Sequence, residues 1–120
     1  MPSAPSRILV VDDDAALLKV MSAYLSRLGY QVDACQSAED GWEKMRTDPS
    51  AYSLALVDLQ MPGIGGHEFA AHLLQCNPAL RVVLASGYTA EISGLETLDG
   101  ERVSFLHKPF SPDQLIQAIR

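Results

Sequence analysis

The stretch Leu54-Ala55-Leu56-Val57-Asp58-Leu59-Gln60-Met61-Pro62-Gly63 decides the fold. Four apolar residues run without a polar interruption, the pattern of a strand buried on both faces of a parallel sheet. The run delivers one carboxylate, Asp58, and breaks at once into Pro62, Gly63, Gly65 and Gly66. A strand that ends in a carboxylate and a Gly/Pro loop carries that carboxylate to the rim of a sheet, beside water. Taken alone, Asp58 is equally an ordinary turn-opening aspartate. The other strands decide between the two.

Toward the N-terminus, Arg7-Ile8-Leu9-Val10-Val11 forms a second apolar run, and it ends in Asp12-Asp13-Asp14. The period then changes. Leu17, Met21, Tyr24 and Leu28, with Leu18 and Leu25 beside them, follow the i, i+3/i+4, i+7 spacing of an amphipathic helix. Gly29 stands where a helix-ending left-handed residue is expected. Gln31–Cys35 reads as a short strand. Ser37-Ala38-Glu39-Asp40 opens a helix carrying Trp42 and Met45 as core fillers, which Asp48-Pro49 closes.

Toward the C-terminus, Phe69, Ala70, Leu73 and Leu74 mark a helix that Asn77-Pro78 ends. Leu80–Ala85 is another apolar strand, stopping at Ser86-Gly87. Residues 89–100 form the weakest helical segment, interrupted by Gly94. Val103–Leu106 makes a last short strand leading into His107-Lys108-Pro109-Phe110. A final helix, with Leu115, Ile116 and Ile119 on its inner stripe, is announced by Ser111 as N-cap, Pro112 at the first position and Gln114 completing a capping box.

Strands and helices thus alternate five times, which implies an α/β fold with a parallel sheet covered on both faces. Ligands of such open sheets gather outside the carboxyl ends of the strands. Asp12 and Asp13, Asp58, Ser86 and Lys108 all follow strand ends. Acidic triplets commonly begin solvated helices and Lys-Pro pairs commonly sit in loops, but their joint placement at one rim has no such bland explanation.

Composition bounds the function. The 120 residues fit one domain, and no apolar run approaches the roughly 20 residues of a membrane span, so no membrane insertion is expected. Residues 1–6 read as a flexible tail and not as a signal peptide. Cys35 and Cys76 lack CxxC spacing and are expected as free thiols of a reducing, cytoplasmic compartment. The formal charge of −6 argues against direct nucleic acid binding.

Three close carboxylates repel one another unless they share a cation, and oxygen ligands favour a hard ion such as Mg²⁺. An aspartate in such a site can attack a phosphoryl group, with Lys108 and the ion meeting the phosphoryl charge and Ser86 donating a hydrogen bond.

Four segments in this order, Ile8–Asp14, Leu56–Gly63, Leu84–Gly87 and Lys108-Pro109-Phe110, resemble the receiver domain of two-component response regulators, over residues 7–120. The resemblance implies a (βα)5 flavodoxin-like doubly wound parallel sheet with strand order 2-1-3-4-5. It implies Asp58 as phosphoacceptor, Asp12, Asp13, Asp58 and the backbone carbonyl of Gln60 as ligands of Mg²⁺ (or Mn²⁺), and Lys108 and Ser86 as phosphoryl-binding residues. Phe105 falls at the aromatic switch position, and Lys108-Pro109 where a cis bond is usual. The implied phosphoryl donor is phosphohistidine of a sensor histidine kinase or histidine phosphotransfer protein. Ser86 replaces the commoner Thr, and Phe105 replaces a frequent Tyr.

The wording is closest to receivers of hybrid sensor kinases and multidomain regulators. The short last helix, ending at Arg120 without a cap signal, fits a domain cut from a longer chain that carries an output domain. Two rivals are a haloacid-dehalogenase-like aspartyl-phosphate hydrolase, which wants Asp-x-Asp where this chain has Asp58-Leu59-Gln60, and a receiver-like interaction module that is never phosphorylated.

The implied mechanism has three expectations. Asp58 takes up phosphate only with Mg²⁺. Ser86 and Phe105 switch the face made by the helix before strand five, strand five and the last helix. Gln60 and Tyr88 tune dephosphorylation, Gln60 by orienting water and Tyr88 by excluding it.

Overall fold

The computed structural model describes residues 7–59, 66–87 and 102–119. Five parallel strands, β1 (Arg7–Val11), β2 (Gln31–Cys35), β3 (Leu54–Asp58), β4 (Arg81–Ser86) and β5 (Val103–His107), form one sheet in the order 2-1-3-4-5. Among the described residues, four helices accompany them: α1 (Ala15–Arg27), α2 (Ala38–Thr47), α3 (Gly66–Cys76) and α4 (Pro112–Ile119). The tail 1–6, the weak helix expected within 88–101, Gln60 and Tyr88 lie outside the described residues.

The unbroken apolar runs have a simple cause. Alternate residues of a strand point to opposite faces, and both faces are covered. Leu9, Val11, Ala55, Val57, Val82 and Leu84 share a core layer with Met45 of α2 and Phe69, Ala70 and Leu73 of α3. Ile8, Val10, Leu54, Leu56, Val83 and Ala85 share the other with Leu18, Met21 and Leu25 of α1 and Leu115 and Ile119 of α4.

Helix limits follow the capping chemistry. Ser37 Oγ accepts the Asp40 N–H at 3.1 Å. At α4 the capping box is complete: Ser111 Oγ accepts the Gln114 N–H at 3.1 Å, and Gln114 Oε1 accepts the Ser111 N–H at 2.8 Å. Gly29 takes φ of +99° just after α1, the left-handed conformation that favours glycine.

Three details depart from expectation. Leu28, placed on the inner stripe of α1 by its spacing, is the C-cap and is 47% exposed, because the helix ends at Arg27 before that turn can face the core. Ile116 is only partly buried, while Leu115 and Ile119 are buried. Pro49–Ala51, read merely as a helix stop, forms a short 3₁₀ turn. Trp42 packs against the core and also meets His72 of α3, ring centroids 5.7 Å apart.

Strand register aligns the carboxyl ends. Val11 pairs with Val57, Asp58 with Ala85, and Ser86 with His107. The residues that follow β1, β3, β4 and β5 therefore share one rim.

Candidate phosphoryl-acceptor site

The acidic triplet after β1 divides its labour. Asp12 is buried, and its N–H continues the sheet by donating to the Cys35 carbonyl at 3.0 Å. Its Oδ1 accepts the Asp14 N–H at 2.9 Å. Asp13 is exposed at the rim. Asp14 serves the helix instead, as the N-cap of α1, with Oδ1 accepting the N–H groups of Ala16 and Leu17 at 3.1 and 3.2 Å. The onset of helical spacing right after Asp14 is the sequence signal for that role.

Asp58, at the end of β3, is 4% exposed. Oxygens of Asp12, Asp13 and Asp58 all lie within 4.8 Å of one another. Three hard carboxylate donors converging so closely, two of them buried, fit a divalent cation with oxygen preference. Among the described residues no other group of three potential ligands comes together this way.

Lys108 enters from the far edge of the sheet. Its Nζ stands 3.0 Å from Asp12 Oδ2 and 3.3 Å from Asp58 Oδ1. Burial works against its charge, but the Asp12 bond and charge, with those of Asp58, outweigh it and hold the ammonium above the usual lysine range. Lys108 is therefore cationic at neutral pH. Its N–H donates to the Ser86 carbonyl at 2.8 Å, extending the β4–β5 ladder, and the Lys108–Pro109 bond is cis. The Leu59 N–H likewise donates to the Ala85 carbonyl at 2.9 Å, so the chain leaves the sheet only after Asp58 is placed.

Ser86 is fully buried at the end of β4. Phe105, two residues before His107 on edge strand β5, is 37% exposed. The fold thus brings Asp12, Asp13, Asp58 and Lys108 into direct proximity and sets Ser86 at the same rim, with Phe105 further along β5. Chemically, such a site can hold a cation, present an aspartate oxygen as a nucleophile and offer an ammonium to an incoming anion.

The sequence profile of the response regulator receiver domain family matches residues 8–120. Among curated relatives, the C4-dicarboxylate transport transcriptional regulatory protein DctD of Rhizobium meliloti is 28% identical over the whole chain, which spans 25% of that protein. The transcriptional regulatory protein ResD of Bacillus subtilis is 29% identical over 96% of the chain and 47% of its own length. The chain thus spans between a quarter and half of these relatives. Among solved structures, a CheY-like response regulator receiver domain protein from Methanospirillum hungatei superposes with a TM-score of 0.86 at 29% identity, covering 96% of this chain and 90% of that one. A response regulator receiver protein from Sinorhizobium medicae gives 0.84 at 26% identity, covering 96% and 91%.

Proposed function

The chain belongs to the response regulator receiver domain family, and from that premise we propose that it accepts a phosphoryl group on Asp58 from phosphohistidine of a sensor histidine kinase or histidine phosphotransfer protein. The observation that carries this is the meeting of Asp12, Asp13 and Asp58 within 4.8 Å, with Lys108 bridging Asp12 and Asp58.

In the proposed step an Asp58 carboxylate oxygen attacks phosphorus in line. The P–O bond forms as the P–N bond to the donor imidazole breaks, and the imidazole leaves with the electron pair of that bond. Asp12, Asp13 and Asp58 would hold Mg²⁺ (or Mn²⁺), with the backbone carbonyl of Gln60 as the further ligand the resemblance implies. When bound, the ion supplies positive charge for the phosphoryl oxygens. Lys108 neutralises a further oxygen, moving from its carboxylate partners to the new anion. Ser86 donates its hydroxyl to another oxygen.

Hydrolysis is the same in-line displacement with water as nucleophile. Gln60 orients that water and Tyr88 screens it. The domain switches a signal in the cytoplasm and does not turn over a metabolite. An output domain elsewhere in a longer chain would read the switch, as the partial coverage of the multidomain relatives supports.

The test is intact-protein mass spectrometry after incubation with acetyl phosphate. One added phosphate is expected with Mg²⁺, and none in excess EDTA or in Asp58→Asn. After donor removal, Tyr88→Ala should lose its phosphate faster than wild type. Equal phosphate gain without Mg²⁺ contradicts the proposed site, and unchanged decay in Tyr88→Ala removes Tyr88 as the screen.

A further inference from the structure

Gly41 is the fourth residue of α2. A glycine within a helix weakens it relative to alanine, so its place there needs a reason in the packing. A Cβ built on Gly41 would come 2.8 Å from Val11 Cγ2 and 3.1 Å from Phe69 Cζ. The first distance is shorter than carbon atoms pack, so α2 seats on β1 through bare backbone. Val11 is 0% and Phe69 1% exposed, which leaves neither an open side to move into.

These two neighbours are not arbitrary core residues. Val11 immediately precedes Asp12, and its register partner on β3 is Val57, which immediately precedes Asp58. Phe69 belongs to the first turn of α3, the helix that follows the segment after Asp58. One glycine therefore backs the end of β1, from which Asp12 projects, and also meets the helix that follows the segment after Asp58.

We propose that Gly41 is a positioning residue for the acidic pocket, setting the spacing of Asp12 against Asp58 through Val11. This rests on the reading that Asp12, Asp13 and Asp58 hold a divalent cation. Protein interiors are close-packed and transmit strain, so a Cβ at position 41 displaces Val11, and Asp12 moves with its neighbour. Mg²⁺ demands near-ideal octahedral geometry at about 2.0–2.1 Å, whereas Ca²⁺ accepts flexible geometry at about 2.3–2.6 Å. A carboxylate displaced by a few tenths of an ångström is therefore felt by Mg²⁺ more than by Ca²⁺. Simple loss of stability lowers the binding of both ions alike, and this separates positioning from packing.

The experiment titrates wild type, Gly41→Ala and the Val11→Ala/Gly41→Ala double variant with Mg²⁺ and with Ca²⁺, followed by NMR under conditions where circular dichroism shows each protein folded. Gly41→Ala is expected to lose about tenfold in Mg²⁺ affinity, the low end for disturbing the surroundings of metal ligands, and distinctly less in Ca²⁺ affinity. The double variant should recover most of the Mg²⁺ binding, because removing the Val11 γ-methyls vacates the space the new Cβ needs. Should Gly41→Ala fold too poorly to titrate, Val11→Ile crowds the same contact from the sheet side and carries the same expectation. A folded variant that binds Mg²⁺ as wild type does, or that loses both ions equally, overturns the inference alone. Wild type that binds neither ion overturns the reading of the pocket and the inference with it.

Discussion

At the scale of single residues, Lys108 governs the resting site. Its ammonium bridges Asp12 and Asp58 at 3.0 and 3.3 Å, so it already sits where positive charge is needed before any phosphoryl group arrives. Replacing it by alanine removes the ammonium that meets the phosphoryl charge, which should slow phosphorylation by acetyl phosphate about 10²-fold. The same change removes a cation that competes with Mg²⁺ for the carboxylates, so Mg²⁺ affinity should hold or rise. Single-turnover phosphorylation and an Mg²⁺ titration check the two halves. A Lys108→Ala protein phosphorylated at the wild-type rate would show that the ammonium acts only in packing. These residues were legible in the sequence because each follows a strand end. The separate duties within Asp12-Asp13-Asp14 were less so, since three identical side chains differ only in the backbone that carries them.

At the scale of elements, the capping signals read true at α2 and α4 because they are local chemistry. Ser37, and Ser111 with Gln114, bond within three residues of themselves. Long-range polar ties left no such trace. Arg102, just ahead of β5, donates to the carbonyls of Leu74, Asn77 and Leu80 at 3.1, 2.6 and 2.9 Å, locking the start of β5 to the end of α3. Its partners lie some 22 to 28 residues away, and nothing in a linear pattern names them. With its start held by Arg102 and its end by the Lys108 N–H to Ser86, β5 is anchored at both ends while Phe105 between them is part exposed. We propose that the Phe105 side chain switches while this anchored backbone stays. Beryllofluoride with Mg²⁺, a mimic of the phosphoryl group, should therefore shift NMR signals at Ser86 and Phe105 as well as beside Asp58. Changes confined to the neighbours of Asp58 would show that the signal stops at the rim.

At the scale of the whole molecule, several buried groups tie stability to pH. Burial, opposed by Lys44 and reinforced by Asp40 and Asp33, pushes the Cys35 thiol up to about 11 from an ordinary value of 9.0. Burial and the Asp33 bond also raise the Tyr52 phenol, and Lys108 is raised by its carboxylate partners against burial. Each holds its proton more tightly folded than unfolded, so each contributes stability that is intact below its unfolded pKa and lost as pH climbs to the folded one. For Cys35 that window runs from 9.0 to about 11. Asp33 is the opposite case. Burial would raise it, but its bonds from Tyr52 and Arg7 prevail and lower it. Its share is intact above 3.8 and lost as pH falls through the folded value. Denaturant unfolding should thus show stability declining above about pH 9, with Cys35→Ala flattening part of the decline between 9 and 11. An identical slope in that variant would contradict the thiol's share.

The α/β class was legible because strand and helix patterns alternate, the strand order followed from the resemblance to receiver domains, and that topology makes distant residues neighbours. Lys108 and Asp12 are 96 positions apart in the chain and 3.0 Å apart in space. The most direct measurement asks which of the three converging carboxylates takes the phosphoryl group. Protein phosphorylated by acetyl phosphate with Mg²⁺ is reduced with borohydride, which converts an aspartyl phosphate to homoserine, and its peptides are mapped by mass spectrometry. Homoserine at position 58 alone is the predicted result; homoserine at position 12 or 13, or at none of the three, would contradict the central claim.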